Sequence, residues 1–415
     1  MTLESDRGLR QHLTSSAYIS NGTSVRQGNP FSRLDLKRQR LLTSVLAHIR
    51  TGYVANRTPP YDTPPLLVLY SCNNTESRCG PLHDRLLSVT SAYFFSMLWD
   101  GAAFAFDMRV PVKFEWYFEP IPGYMSMTTD HADLYLGRAD AATIRRVDHM
   151  EFTALATEDY RTQLKADNIR ILQTSRWDNW MAMRNNPSMS RSRDKYQLNH
   201  LSSKSEWFWV ASRLLFAKPS SWLAKHLTPY RNLMGGYVVW SESLSFMDPA
   251  NMITPAISDW FRIGIHMIQK DSAECLASRI ASLCSTAEDL GKECHIFLSS
   301  TSRESLDRLR KAISLPELKD HHRIQVHTVA EHYDFSELNT APKSSNSAWT
   351  LMSAEDRLKS TYARIFMDWM ILSRMDYLVG QEGDDFLKTA AWAAQVRTDL
   401  LHLSSNCQFQ AMEDW

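Results

Sequence analysis

Long hydrophobic runs are missing from this chain. A membrane-spanning helix needs roughly 18 consecutive apolar residues. The stretch Leu41–Ile49 is shorter than that and is broken by Thr43, Ser44 and His48. An apolar leader is missing too: Met1–Arg10 carries Glu4, Asp6, Arg7 and Arg10, which is the wrong chemistry for a secretory signal. Net charge is absent, because 46 Lys+Arg balance 46 Asp+Glu. A protein that coats nucleic acid normally carries a basic excess, so no nucleic-acid partner is expected. None of the 6 cysteines sits in a C-x-x-C pair, which argues against a zinc ribbon or a thioredoxin-type motif. G-x-S-x-G, P-loop, H-E-x-x-H and G-x-G-x-x-G patterns are all absent. Hydrolase, kinase, zinc-protease and dinucleotide-dehydrogenase readings therefore find no support. No internal repeat or low-complexity tract is present.

What is there is an ordinary globular composition, 44% hydrophobic and 22% charged over 415 residues. That length suggests two domains. Residues 1–63, rich in Ser, Thr, Asn, Arg and Pro, read as a stem or linker with one helix over Leu34–Arg50. Leu66–Tyr70 is a continuous apolar run, as a buried parallel strand requires. A helix over Leu82–Leu98 and a strand over Ala102–Phe106 complete a βαβ unit. Ile169–Leu172 is a further strand, and Trp177–Met183 and Ser205–Phe216 are helices. The junction falls near 230–255, around Gly235–Gly236 and Pro249. Beyond it strands over Phe261–Met267, His295–Leu298, Arg323–Val329 and Tyr377–Val379 alternate with helices over Ser272–Ser285, Arg303–Ile313, Ala354–Ser373 and Asp384–Val396. The expected division is 1–63 stem, 64–240 N-terminal domain and 241–415 C-terminal domain, both domains α/β.

Cysteine and sequon placement bear on compartment. Cys72 and Cys79 flank a polar loop, while Cys275, Cys284 and Cys294 fall in one βα-like unit. Pairing in an oxidising compartment and free buried thiols both remain open. Asn21, Asn56 and Asn73 open N-x-[ST] triplets.

In open parallel sheets ligands bind beyond the carboxyl ends of the strands. Four strand ends carry residues of interest. After the first comes Cys79-Gly80-Pro81-Leu82-His83-Asp84-Arg85, a turn into a helix N-terminus with a fixed cation beside it. The second is Ile263-Gly264-Ile265-His266-Met267-Ile268-Gln269-Lys270-Asp271. The third is Ile296-Phe297-Leu298-Ser299-Ser300-Thr301-Ser302. The fourth is Asp376-Tyr377-Leu378-Val379-Gly380-Gln381-Glu382-Gly383-Asp384-Asp385-Phe386.

In this order and spacing, over roughly residues 66–396, the four blocks resemble motifs of the fucosyltransferase superfamily with the GT-B fold. That superfamily includes the plant xyloglucan, bacterial nodulation, core and protein O-fucosyltransferases. Gly80, Asp84 and Arg85 keep the frame of its first motif, and Phe118-Glu119-Pro120 is similar to its aromatic-E-P element. His266 and Asp271 are retained in the second motif. Ile268 stands where the superfamily has an Arg on the donor diphosphate, and Lys270 where Gly is usual. Thr301 replaces an Asp that helps hold the nucleotide. Asp384 and Asp385 replace a Ser pair near the donor phosphates.

The resemblance implies an α/β GT-B fold, two Rossmann-like domains facing across a cleft, with the acceptor on the first and the nucleotide-sugar on the second. It implies an inverting fucosyltransferase that uses GDP-fucose on a glycan or protein hydroxyl. Arg85, His266 and Asp271 are the implied catalytic residues. Gly80, Ile268, Gln269, Lys270, Ser300, Thr301, Gly380, Asp384 and Asp385 are the implied donor-binding residues. Alternation along an extended strand would let Lys270 share a face with position 268 and supply the missing charge. No cofactor beyond the donor substrate is implied, though Asp384 and Asp385 offer carboxylates to a divalent ion. Two alternatives follow from the departures: a catalytically degenerate glycan-binding or scaffolding protein, and a transferase with another nucleotide-sugar. The resemblance also implies the Golgi or secretory lumen if an anchor precedes this chain, and the cytoplasm otherwise.

Other clusters read as structure. Glu274 is expected to be a solvated helix-start carboxylate. Trp177, Trp180, Trp207 and Trp209 are expected in the core rather than stacked on sugar. His321, His322 and His327 fit a polar strand start better than a metal site. Arg191, Arg193 and Lys195 read as a solvated cluster in a Ser/Asn loop.

Overall fold

The computed structural model describes residues 36–54, 67–72, 79–97, 102–119, 133, 136–137, 144–148, 154–163, 169–173, 177–235, 259–314, 324–329, 353–403 and 407–413. Chain contacts divide it into two compact units. One is built from Arg38–His226 with Ser336–Ile365, the other from Leu227–Phe335 with Phe366–Glu413.

The first unit begins with α1 (Leu36–Val54). Its buried residues Leu42, Val45, Leu46 and Ile49 recur at three- and four-residue spacing, the stripe of a helix packed on one face. Arg38 pairs with the buried Glu206 and donates to the His200 carbonyl at 2.7 Å. The assignment of 1–63 as a stem remains a proposal, since residues 1–35 and 55–66 lie outside the described residues. The strands are β1 (Leu67–Ser71), β2 (Ala103–Asp107), β3 (Ile144–Asp148) and β4 (Ile169–Gln173), in parallel order β2-β1-β4-β3. Between β1 and β2 runs α2 (Leu82–Ser96), buried on all sides from Arg85 onward, its polar Ser88, Thr90 and Ser91 included. α3 (Lys204–Leu215) opens on a capping box between Ser203 and Glu206.

Trp177, Trp180 and Trp207 are fully buried and Trp209 nearly so. Phe94 meets Trp207 edge-to-face at 4.6 Å. These rings are core, as expected. Arg191, Arg193 and Lys195 stand on a short helix, Ser190–Lys195, rather than in a loop. Arg193 donates to the Arg184 carbonyl, which ties that turn to the end of the helix Trp180–Arg184.

The second unit holds a six-stranded sheet. Its elements are β5 (Trp260–Met267), α4 (Ala273–Glu288), β6 (Glu293–Ser300), α5 (Arg303–Ile313), β7 (Ile324–His327), the part of α6 (Ala354–Leu372) from Phe366 on, β8 (Tyr377–Gln381), α7 (Asp385–Ala394), β9 (Arg397–Leu401) and β10 (Phe409–Ala411). The order is β10-β9-β8-β5-β6-β7, parallel except for the β9–β10 pair. β5 from Phe261 on and β8 are buried along their lengths, which explains their mostly apolar sequences, with Arg262 and His266 the charged or polar exceptions on β5. α4 turns Leu276, Ala277, Ile280, Leu283, Cys284 and Ala287 into the core, and α5 turns Leu306, Leu309 and Ile313. Arg262 of β5 and Asp376, just before β8, form a buried two-pronged ion pair at 2.8 and 2.6 Å.

All six cysteines are paired, as Cys72–Cys79, Cys275–Cys407 and Cys284–Cys294. The free-thiol reading is therefore set aside. Cys284–Cys294 ties α4 to β6. Cys275–Cys407 ties the first turn of α4 to the segment before β10. No helix among the described residues is long and apolar enough to cross a membrane. The sequons at Asn21, Asn56 and Asn73, the aromatic-E-P proline Pro120, and His321–His322 lie outside the described residues.

Candidate functional site

The chain order of the second sheet reverses beside β5. From β5 it proceeds to β6 and β7 on one side, then crosses to β8 on the other. The gap between the carboxyl ends of β5 and β8 is thus a topological switch point, where open α/β sheets bind ligands.

His266 lies at that end of β5, buried. Its Nδ1 is 2.6 Å from Asp384 Oδ2. Asp384 stands just ahead of α7, and its other oxygen accepts the Leu387 backbone N–H at 3.0 Å, an N-cap. One carboxylate therefore holds both the imidazole and the helix start. The ring of Phe386 packs on the His266 ring, centroids 4.7 Å apart. Gly380 lies beside His266: a Cβ there would fall 2.2 Å from Leu387 Cδ2 and 3.4 Å from the His266 carbonyl. A side chain at this position would require Leu387 to move its methyl group.

Gln381, the residue after Gly380, is fully buried. Its Oε1 accepts the backbone N–H groups of Ile268 at 2.6 Å and Gln269 at 2.9 Å. Its Nε2 donates to Ser272 Oγ at 2.6 Å. From the third strand end, Ser300 Oγ donates to the Met267 carbonyl at 2.8 Å, and Ser299 Oγ to Asp368 Oδ2 of α6 at 2.7 Å. Thr301 is exposed and only its backbone N–H reaches Met267 O.

Other expected residues point away. β5 ends at Met267, so strand alternation does not extend to Lys270, which begins a 3-10 turn over Lys270–Ser272. Lys270 Nζ meets Glu304 Oε1 at 3.2 Å on the surface, and Asp271 pairs with Arg308 at 2.8 Å. The charge missing at Ile268 is therefore not supplied by a strand-aligned Lys270. Asp385 faces Lys388 at 3.6 Å, one turn along α7. Glu274 is exposed, as expected. The sequence reading missed Gln381 and Ser272. The one available signal was a polar residue directly after the glycine of a buried strand.

In the first unit Gly80 has φ +69°, a left-handed conformation, and a Cβ on it would lie 2.4 Å from Asp84 Oδ2. Arg85 is buried and donates from Nε to the Gly80 carbonyl and from Nη1 to the Val110 carbonyl, both at 3.0 Å. It clamps the turn after β1 to the stretch after β2. Burial pulls its guanidinium below the usual arginine range, against the opposing influence of Tyr70, Tyr362 and Asp84.

No family model matches the sequence, and no curated protein matches it. Among solved structures, FUT1 of Arabidopsis thaliana in complex with GDP superposes with a TM-score of 0.51 at 14% identity, over 96% of this chain and 88% of that one. This chain has a GT-B fold. The fucosyltransferase NodZ from Bradyrhizobium has a TM-score of 0.45 at 16% identity, over 85% of this chain and 100% of that one. POFUT1 in complex with GDP-fucose has a TM-score of 0.39 at 11% identity, over 81% of this chain and 95% of that one. At 14% identity the likeness to the Arabidopsis structure speaks for the architecture and not for the chemistry.

Proposed function

We propose that this protein is a glycosyltransferase that moves fucose from GDP-fucose to a glycan or protein hydroxyl with inversion. The observation that carries the proposal is the meeting of His266, Gly380, Gln381 and Asp384 at the switch point of a GT-B sheet. In this reading the nucleotide-sugar lies beyond the ends of β5, β6 and β8, and the acceptor is taken by the first unit near Gly80 and Arg85. An inverting transfer needs one group to accept the acceptor hydroxyl proton. His266 is assigned that role, with Asp384 fixing its ring. Ser300, Thr301, Ile268 and Gln269 line the donor side.

No step of the proposal runs through a metal. Among the described residues no three His, Cys, Asp or Glu side chains gather as a cation cage. Asp384 has both oxygens engaged, one by His266 and one by Leu387 N–H. Three disulfides support assembly in an oxidising compartment, and the proposal places the protein in the Golgi or secretory lumen.

One observation favours a second reading. The backbone N–H groups of Ile268 and Gln269 and the N-terminus of α7 already carry oxygens of the chain's own Gln381 and Asp384. A protein that kept the fold, lost sugar transfer and binds glycans would look like this. The discriminating assay is GDP release from GDP-fucose across a panel of glycan and glycopeptide acceptors. Acceptor-dependent release, lost in His266→Ala, supports the transferase. Glycan binding without release supports the binder.

A further inference from the structure

His295 and His327 stand on one face of the second sheet, where β6 meets the strand β7. The register sets Gln325 opposite His295 and His327 opposite Phe297, so the two imidazoles are diagonal neighbours. Nδ1 of His295 lies 3.1 Å from Nε2 of His327. The ring centroids are 5.4 Å apart and the planes differ by 11°, so the rings meet edge to edge through those nitrogens. A bond of this kind needs one N–H and one lone pair. It holds a single proton, and a second proton turns both nitrogens into donors. His295 is fully buried between the Trp260 ring, stacked at 3.7 Å, and Arg262, its register partner on β5. Two imidazolium cations in contact beside a buried guanidinium repel one another strongly.

β7 has four residues, Gln325 and Val326 are exposed, and among the described residues it pairs with β6 alone. We propose that the His295–His327 pair is an acid-released latch, which fastens β7 to the sheet while it shares one proton and frees the strand once both imidazoles are charged. Burial holds both histidines below their ordinary range; the His327 ring and Arg262 add to this at His295, and Glu293 opposes them. The shut latch is therefore the neutral-pH state. Glu293 also gives the charged His295 a place to turn: its Oε2 is 3.7 Å from Nε2, an atom that makes no hydrogen bond while the latch is shut. His327 is only partly buried and can turn to water. The charge of Arg262 is matched by Asp376, with Asp259 and Lys292 near that pair. Beyond the latch, Tyr230 donates to the Thr328 carbonyl at 2.9 Å and Val329 is buried, so the chain leaving β7 stays tethered and the release is local. β5, β6 and β7 are parallel and their carboxyl ends share one rim, so freeing β7 loosens that rim beside β6.

The test is amide hydrogen exchange of the full chain at about pH 7.5 and about pH 5.5, corrected for the intrinsic exchange rate at each pH. In wild type the protection of Ile324–His327 is expected to fall on the order of tenfold at the lower pH, while β5 and β8 keep theirs. Returning the sample to neutral pH restores it. His327→Gln leaves one titrating ring at the junction and is expected to lose most of the pH difference. The wild-type comparison decides the matter alone if His327→Gln does not fold. Protection of β7 that does not change with pH in wild type overturns the inference. So does a loss shared equally by β5 and β8, or an equal loss in His327→Gln. The readout uses neither sugar nor nucleotide, so its failure is separate from a failure of the transferase reading.

Discussion

His266 and Asp384 meet at 2.6 Å between imidazole Nδ1 and carboxylate Oδ2, and the same carboxylate caps α7 through the Leu387 N–H at 3.0 Å. Two functions of the strand end, ring orientation and helix start, therefore depend on one side chain. Asp384→Ala removes the cap and the imidazole partner together and should lower stability by about 1–3 kcal/mol. Asp384→Asn keeps an oxygen for the cap and should fall between wild type and Asp384→Ala in urea unfolding. Equal stability of all three proteins would mean the carboxylate holds neither group.

The two buried arginines of the second unit should respond oppositely to substitution. Arg262 is paired with Asp376 at 2.6 Å. Arg262→Met strands that carboxylate and should cost about 3–5 kcal/mol. Among the described residues Arg374 Nε has no hydrogen-bond partner, and burial pulls its guanidinium down to about 10. Arg374→Met removes an uncompensated cation and should raise stability by about 1–3 kcal/mol. A loss of stability in Arg374→Met would show that the cation has a partner in solution.

The disulfides should contribute unequally. Cys275–Cys407 spans 132 residues, and Cys284–Cys294 spans 10. By loop-closure entropy the first contributes about 5 kcal/mol and the second about 3 kcal/mol. Denaturant unfolding of the paired Ser variants checks the ranking. A larger loss from the short loop would contradict it.

Stability should fall on mild acidification through one histidine pair. His295 Nδ1 lies 3.1 Å from His327 Nε2, joining β6 to the edge strand β7, and His295 stacks on Trp260 at 3.7 Å. Burial lowers both values; His327 and Arg262 press His295 further down, and Glu293 opposes them. The folded protein thus holds fewer protons here than the unfolded chain, whose histidines titrate near ~6.5. The stabilising contribution is complete above that pH and is lost as pH falls through the depressed folded values. His327→Gln should flatten the fall between neutral and weakly acid pH in thermal unfolding. An unchanged slope would assign the acid sensitivity elsewhere.

The strands β1, β5, β6 and β8 are legible in the sequence because burial on both faces demands continuous apolar runs. β3 is not, since Ile144-Arg145-Arg146-Val147-Asp148 breaks the run with two arginines, and β10 is only three residues long. His266, Gly380 and Asp384 are legible through their strand-end positions. Gln381 is not, because it bonds a backbone 113 residues away, which no spacing displays. The partner of Cys275 was hidden for the same reason, 132 residues along the chain. Lys270 was misplaced because the alternation that would align it with Ile268 stops where β5 stops.

The most direct measurement of the central claim is thermal unfolding of the full chain in millimolar GDP, UDP or ADP. A ligand bound only by the native state adds RT ln(1 + [L]/Kd), about 2.7 kcal/mol at a hundredfold excess over Kd. GDP should raise Tm and do so more than UDP or ADP. No shift with any nucleotide, alongside a shift with fucosylated glycans, would contradict the transferase and leave a glycan-binding protein on a GT-B fold.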